Sequence, residues 1–266
     1  MASMSERTGG YLAPEFTALA HRGGALLPAN LGIENTIAAF AHAVELGFRY
    51  LETDVHATRD GVLVAFHDSN LLRVTDMDIS IADVTAAELS QIRIGGREPI
   101  PTVDELLEAF PDCSLNIDIK ADAATVPLAR AIDGHAATDR VCVGSFSPAR
   151  IQRFRRLMPD VVTSVSPAGV GSLLLGRVGS DRRRPARVYQ VPLTHRVAGV
   201  ELRVVTPARV RAIHRAGRKI HVWTVDDPEV MHELIDWGVD GIVTDRPDLL
   251  KRVLRNRGMW STSFGA

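Results

Sequence analysis

The feature that most constrains this chain is an alternation: short apolar runs of strand length recur from end to end, separated by segments with helical spacing. The runs fall at 16–20, 50–54, 115–119, 141–145, 161–165, 188–191, 220–224 and 241–244, and a further one at 62–66 is placed to return as a hairpin. Strands that alternate with helices pair in parallel and are covered by those helices. Eight such units in 266 residues predict a (β/α)8 TIM barrel, a fold of about 250 residues. Helix punctuation agrees. Glu34-Asn35-Thr36 precedes the stripe Ile37, Phe40, Ala41 and Val44, with Gly47 beyond it, and Thr206-Pro207, Asp227-Pro228 and Arg246-Pro247 each open a helix. Residues 69–111 break the rhythm, and Asp76-Met77-Asp78 and Gly95-Gly96 mark them as an excursion above the barrel, able to wall a pocket. The expectation is therefore a TIM barrel with a short insertion after the second strand. It forms a single domain over residues 14–257, with terminal extensions 1–13 and 258–266.

Several function classes drop out. A net charge of -1 and a pI near 6.8 provide no global attraction to nucleic acid, and Arg182-Arg183-Arg184 reads as a solvated loop. Cys113 and Cys142 lie in apolar runs outside any C-x-x-C spacing, so buried, reduced thiols are expected. No apolar run approaches the roughly 18 residues of a membrane helix, and the N-terminal residues lack a secretory pattern, so the expectation is a cytoplasmic enzyme with no integral membrane segment. The first strand is not followed by G-x-G-x-x-G, and G-x-x-x-x-G-K-[ST], G-x-S-x-G and H-E-x-x-H are absent from the sequence. The apolar, glycine-rich stretch 168–176 reads as a helix on the barrel followed by a loop, or else as a lipid- or partner-contacting edge.

Polar candidates gather instead at strand C-termini, where barrel active sites form. His21-Arg22-Gly23-Gly24 brings an acid/base group and a guanidinium to the end of the first strand. Glu52 and Asp54 are two apart on the second strand and so share a face; they converge on a hard cation, or they form a solvated strand end paired with Arg49 or Arg59. The turn at Asp60-Gly61 returns His67 toward that end, with Asp68 beside it to orient the ring. Asn116, Asp118 and Lys120 share one face of their strand. Facing the barrel mouth they supply a third carboxylate and a phosphate contact; facing outward they are a polar edge. Trp223 offers an apolar wall or packs in the core. Asp245 bonds His21 or Arg22 across the closing seam, or caps the last helix.

Taken in order, His21-Arg22-Gly23-Gly24, Glu34-Asn35-Thr36, Glu52-Thr53-Asp54-Val55, His67-Asp68, Asn116-Ile117-Asp118-Ile119-Lys120, Val222-Trp223-Thr224-Val225 and the 238–247 ending resemble the glycerophosphodiester phosphodiesterase family. The resemblance runs from about residue 17 to 250. It implies a TIM barrel that hydrolyses small-molecule glycerophosphodiesters to glycerol 3-phosphate and an alcohol with a divalent cation, Ca2+ or Mg2+. It further implies that His21 and His67 are the general acid/base pair, that Glu52, Asp54 and Asp118 are metal ligands, that Arg22 and Lys120 contact phosphate, and that Trp223 lines the glycerol side. Three positions depart from the family pattern: Asp118 stands where glutamate is usual, Ile33 where proline commonly precedes Glu-Asn-Thr, and Asp226 where asparagine is common, adding negative charge near the pocket.

Such a site must neutralise the phosphodiester, position an attacking oxygen and protonate the leaving one. The attacking oxygen is water or the neighbouring glycerol hydroxyl, the latter giving a cyclic phosphate. Two alternatives stand beside this reading: a phospholipase D-like or phosphoinositide-cleaving barrel acting on membrane lipids, and a noncatalytic phosphate-ligand-binding barrel.

Overall fold

The computed structural model describes residues 10–178, 188–197 and 199–260. The Arg182-Arg183-Arg184 reading, and parts of both expected terminal extensions, lie outside the described residues. Eight parallel strands appear where the apolar runs predict them: β1 (Thr17–His21), β2 (Tyr50–Ala57), β3 (Ser114–Ile119), β4 (Val141–Gly144), β5 (Val162–Thr163), β6 (Val188–Pro192), β7 (Lys219–Trp223) and β8 (Gly241–Thr244). Their order is β5-β4-β3-β2-β1-β8-β7-β6. The ring closes between β5 and β6 through a single parallel bridge, Ser164 to Val188, and the Val165 amide donating to the Val188 carbonyl at 2.9 Å. The fold is thus the expected TIM barrel with an insertion after its second strand.

Helices cover the outside, and prolines set their starts. Pro148, Pro167, Pro207, Pro228 and Pro247 occupy first-turn positions, where the missing N–H is no loss. Ser147, Thr206 and Asp227 cap three of these helices with side-chain acceptors. Inside, Tyr11, Leu19, Tyr50, Cys142, Val162, Val188 and Val243 form a plug, with the Tyr11 and Tyr50 rings edge to face at 5.2 Å. The plug fills the barrel interior below the strand C-termini. Both cysteines are buried and not joined to each other in a disulfide, and no helix among the described residues is long and apolar enough to cross a membrane.

Two hairpins shape the mouth. Leu63–Ala65 runs antiparallel to β2, and the Phe66 amide donates to the Asp54 carbonyl at 2.9 Å, which delivers His67 to the carboxylate end of β2. The second, Thr194–Val197 with Val200–Arg203, follows β6 and carries no alternation strong enough to mark it in the sequence. Residues 69–100 fold around a separate small core that includes Leu71, Ile81, Leu89, Ile94 and Ile100, with a capping box at Thr85/Glu88, whereas the helix Val103–Ala109, opened by the capping box Thr102/Glu105, packs into the main barrel core.

His221 on β7 is fully buried, and neither ring nitrogen has a hydrogen-bond partner. Burial, helped by Lys219, pushes its pKa down to about 3. In the unfolded chain a histidine titrates near 6.5, so as the pH falls below that value the unfolded state takes up a proton that the folded state refuses. The stability lost reaches on the order of 4 kcal/mol near pH 3. Replacing His221 by Leu is expected to flatten the fall of Tm between pH 6.5 and 4, as followed by calorimetry; an unchanged slope would show that this ring is protonated in the folded protein.

Candidate active site

The first loop is built by close approach. A side chain at Gly23 (φ 84°) would sit 2.8 Å from the Ala39 backbone, and one at Gly24 (φ 87°) would sit 2.6 Å from the Pro247 ring. Only glycine fits either place. Buried Asn30 ties the loop down, its amide donating to the carbonyls of Gly23 (2.9 Å), Gly24 (3.2 Å) and Ala39 (3.2 Å). The Glu-Asn-Thr segment then divides its work. Thr36 caps the helix Ile37–Glu45, Asn35 accepts from Thr53 at 2.8 Å, and Glu34 accepts from Arg22 at 3.0 Å.

Sheet register sets the centre. His21 pairs with Glu52 across β1 and β2, and Asp54 with Asp118 across β2 and β3. On the other side β1 pairs with β8, Ala20 opposite Thr244, which puts His21 beside Asp245. The His21 Nδ1 donates to Asp245 Oδ1 at 2.7 Å, and its Nε2 lies 3.7 Å from Glu52 Oε2. Asp245 is held in turn by Asp226, whose Oδ1 accepts from the Asp245 amide at 2.8 Å and the Thr244 hydroxyl at 2.9 Å. The charge of Asp226 is therefore spent behind Asp245, and Asp226 does not line the cavity. The second histidine repeats the pattern: His67 Nδ1 donates to Asp68 Oδ1 at 2.6 Å. In both rings Nδ1 is the nitrogen committed to a carboxylate.

The carboxylates are met by neither Arg49, which bonds to the carbonyls of Val44 and Phe48, nor Arg59, which bonds to Glu88 and the Asp83 carbonyl. Lys120 Nζ stands 2.8 Å from Asp54 and 2.7 Å from Asp118, and Arg22 Nε lies 3.3 Å from Asp54 Oδ2. The polar face of β3 thus looks into the barrel, where Asn116 also accepts from Gln190 at 2.8 Å. Burial and neighbouring Asp54 raise Glu52 to about 7 despite His21 and Arg22. Burial raises Asp118 against the pull of Lys120. Burial also works against protonating His21, but Glu52 and Asp245 outweigh it and its pKa rises. For Lys120 burial is likewise outweighed, by Asp118 and Asp54, and its pKa rises to about 12.

These residues share one cavity of about 500 Å³, lined by His21, Arg22, Glu52, Asp54, His67, Asn116, Asp118, Lys120 and Trp223. All eight side chains to which the family resemblance gives a role, His21, Arg22, Glu52, Asp54, His67, Asp118, Lys120 and Trp223, are in that lining. The opposite wall was not anticipated. No residue of 69–111 lines the cavity, contrary to expectation; Phe146, Val165, Pro167, Val170, Leu174 and Pro192 do. The 168–176 stretch is the helix Pro167–Leu174, packed on the barrel as expected, yet one face also closes the mouth. Trp223 meets Phe146 edge to face at 5.8 Å, and Lys120 lies 5.5 Å from the Phe146 ring. Excursion residue Arg73 touches the site indirectly, through Asp68 and Glu34.

Comparisons with known proteins follow this geometry. The Glycerophosphoryl diester phosphodiesterase family matches residues 21–249. A probable glycerophosphodiester phosphodiesterase 2 of Mycobacterium tuberculosis is 44% identical over 250 residues, covering 91% of this chain and 92% of the relative. A glycerophosphodiester phosphodiesterase of Caldanaerobacter subterraneus is 31% identical over 239 residues, 85% and 93% of the two chains. Among solved structures, an Oleispira antarctica phosphodiesterase in complex with the product sn-glycerol-3-phosphate shares the fold with a TM-score of 0.74 at 23% identity, over 90% of this chain and 96% of that one. Neither the membrane-lipid reading nor the noncatalytic one is favoured by these relatives.

Proposed function

This chain belongs to the glycerophosphodiester phosphodiesterase family and hydrolyses glycerophosphodiesters to glycerol 3-phosphate and an alcohol; from that premise we propose how its side chains divide the work. His21 and His67 are the general acid/base pair, Arg22 and Lys120 bind the phosphate, and Trp223 lines the glycerol side. The observation that carries this reading is the matched pair of imidazoles, each with Nδ1 committed to a carboxylate, facing one cavity that also holds a guanidinium and an ammonium. We assign the catalytic unit to residues 14–257, with a cytoplasmic location to which two buried cysteines not joined in a disulfide are suited.

The carboxylates suit a hard divalent cation, Ca2+ or Mg2+. Asp54 Oδ2 is buried and makes no hydrogen bond, its ion pair with Arg22 Nε lying at 3.3 Å, and Glu52 beside it is driven toward protonation by burial and by Asp54, so the pair has acceptor oxygens to spare. Glu52, Asp54 and Asp118 would hold the ion, the last after Lys120 turns from it to phosphate. When bound, the ion neutralises charge on a nonbridging oxygen and acidifies a glycerol hydroxyl.

Proton bookkeeping then needs only the two rings. One imidazole takes the proton of the neighbouring glycerol hydroxyl as that oxygen bonds to phosphorus. The phosphorus–oxygen bond to the alcohol breaks, and the other ring, as imidazolium, protonates the departing oxygen. Water opens the cyclic phosphate with the two roles exchanged, returning both rings to their starting states.

The test is glycerophosphocholine with Ca2+ or Mg2+, followed by phosphorus NMR. Release of glycerol 3-phosphate, loss of that release on chelation with EDTA, and a transient cyclic phosphate are expected. Turnover undiminished by EDTA would remove the metal assignment, and the absence of any cyclic species in single turnover would favour direct attack by water. Lysophospholipid vesicles serve as the comparison substrate; a preference for them would reverse the choice of soluble substrate.

A further inference from the structure

We propose that Arg73, on the short helix Leu72–Thr75 of the inserted segment, is a positioning residue that locks His67 against the first loop; this rests on His67 acting as an acid or base. Its guanidinium uses its whole fork. Nε donates to Asp68 Oδ2 at 2.6 Å, while the two terminal nitrogens donate to Glu34 at 2.9 and 2.7 Å. Each of those carboxylates has a second partner inside the site. Asp68 Oδ1 takes the Nδ1 proton of His67 at 2.6 Å, and Glu34 Oε1 takes a proton from Arg22 at 3.0 Å. One continuous chain therefore runs His67, Asp68, Arg73, Glu34, Arg22, from the acid/base ring to the phosphate-binding guanidinium.

This series of contacts joins two loops that share no direct backbone hydrogen bond among the described residues. His67 follows the hairpin strand Leu63–Ala65, and Arg22 follows β1, with Glu34 twelve residues further on. With one of its oxygens taken by Arg73, Asp68 can present only the other to His67, so the ring plane is fixed. A lysine would carry the same charge without the planar fork that reaches both carboxylates at once.

Electrostatics agree with a paired cluster. The Arg73 side chain is 46% exposed. Its hydrogen bonds with Glu34 and Asp68 nonetheless raise its pKa. Both carboxylates are lowered in spite of the burial that opposes it, chiefly by Arg73. Exposed ion pairs contribute little to stability, so the removal of Arg73 leaves the fold standing and isolates its effect on geometry. Misplacing a reacting group by about 1 Å costs up to 10²-fold in rate.

The experiment uses glycerophosphocholine turnover by four variants, Arg73→Ala, Arg73→Lys, Asp68→Asn and the Asp68→Asn/Arg73→Ala double variant. Arg73→Ala is expected to lower kcat about 10-fold, with KM within about threefold and Tm within a few degrees of the parent protein. Arg73→Lys recovers only part of the loss, and free guanidinium recovers more of it in the Ala variant. In the Asp68→Asn background the same Ala substitution has little further effect, because the route to His67 is already cut. A kcat within twofold of the parent, or an equal loss in both backgrounds, overturns the proposal. His67→Ala is the separate control: if it turns over normally, the acid/base assignment falls, whereas if it is inactive and Arg73→Ala is normal, only the positioning role falls.

Discussion

Replacing His21 by Ala is expected to lower kcat by about 10³-fold while leaving a folded protein, since a positioned acid or base contributes roughly 10²- to 10⁴-fold. Nothing in the barrel's packing depends on the ring. It sits at the C-terminal end of β1 and lines the cavity, and the seam beneath it is held by β1–β8 pairing from Thr17 to Ala20. The Asp245→Asn variant separates orientation from charge. The amide can still meet Nδ1 across the 2.7 Å contact, but it can do so through its own N–H, which selects the wrong tautomer, and it withdraws one of the two charges that raise the His21 pKa. Burial then counts for more, so the His21 pKa falls. If His21 is the base in the free enzyme, the acidic limb of the kcat/KM profile moves to lower pH; if it is the acid, the basic limb moves the same way. Near-normal turnover by His21→Ala, or an unmoved pH profile for Asp245→Asn, would falsify the role assigned to the pair.

The parts legible in the sequence are those with a local signature. All eight strands could be placed because apolar runs alternate with capped helices, and β8 matches residue for residue because Gly238 ends the helix before it and Arg246-Pro247 opens the helix after it. The convergence of Glu52, Asp54, Asp118 and Lys120 follows from period-two alternation on adjacent strands, once the barrel orders β2 beside β3. Other features lack any such signal. Asn30 looks like an ordinary loop residue, yet its contacts with the Gly-Gly turn depend on how the helix Ile37–Glu45 packs. Arg73 and Glu34 are 39 residues apart, and their pairing depends on how the insertion folds back over the first loop. The apolar stretch of the helix Pro167–Leu174 marks it as packed on the barrel, but that it also walls the mouth is decided by the closure between β5 and β6, which one bridge makes. Side-chain contacts over such separations leave no periodic trace, whereas strand register does.

The substitution of Lys120 by Met tests the centre of the site most severely, with kcat/KM expected to fall by 10²- to 10³-fold, the loss typical for a preorganised donor to developing charge. Its consequence for stability has a definite sign. Lys120 is raised to about 12, so its contribution is complete below the ordinary lysine value near 10.5 and is lost only as the pH passes 12. Across the working range the ammonium is fully present, holding Asp54 at 2.8 Å and Asp118 at 2.7 Å. Without it, buried Asp118 faces Asp54 with Arg22 and Arg150 as the remaining cations in range, and a carboxyl already raised by burial rises further. The penalty grows as the pH rises and Asp118 ionises, and it shrinks as the pH falls and that carboxyl takes up a proton. Removing one partner of a buried pair costs about 3–5 kcal/mol, and partial exposure of the Lys120 head to the cavity brings this to about 2–3 kcal/mol at pH 8. That corresponds to a Tm lower by roughly 5–10 °C at pH 8 for a domain of this size, shrinking toward the parent value at pH 5. Calorimetry at the two pH values in EDTA reads the difference directly. An equal loss of Tm at both would mean that Lys120 acts through packing against Phe146 rather than by neutralising the carboxylates, and unchanged kcat/KM would remove it from the phosphate site.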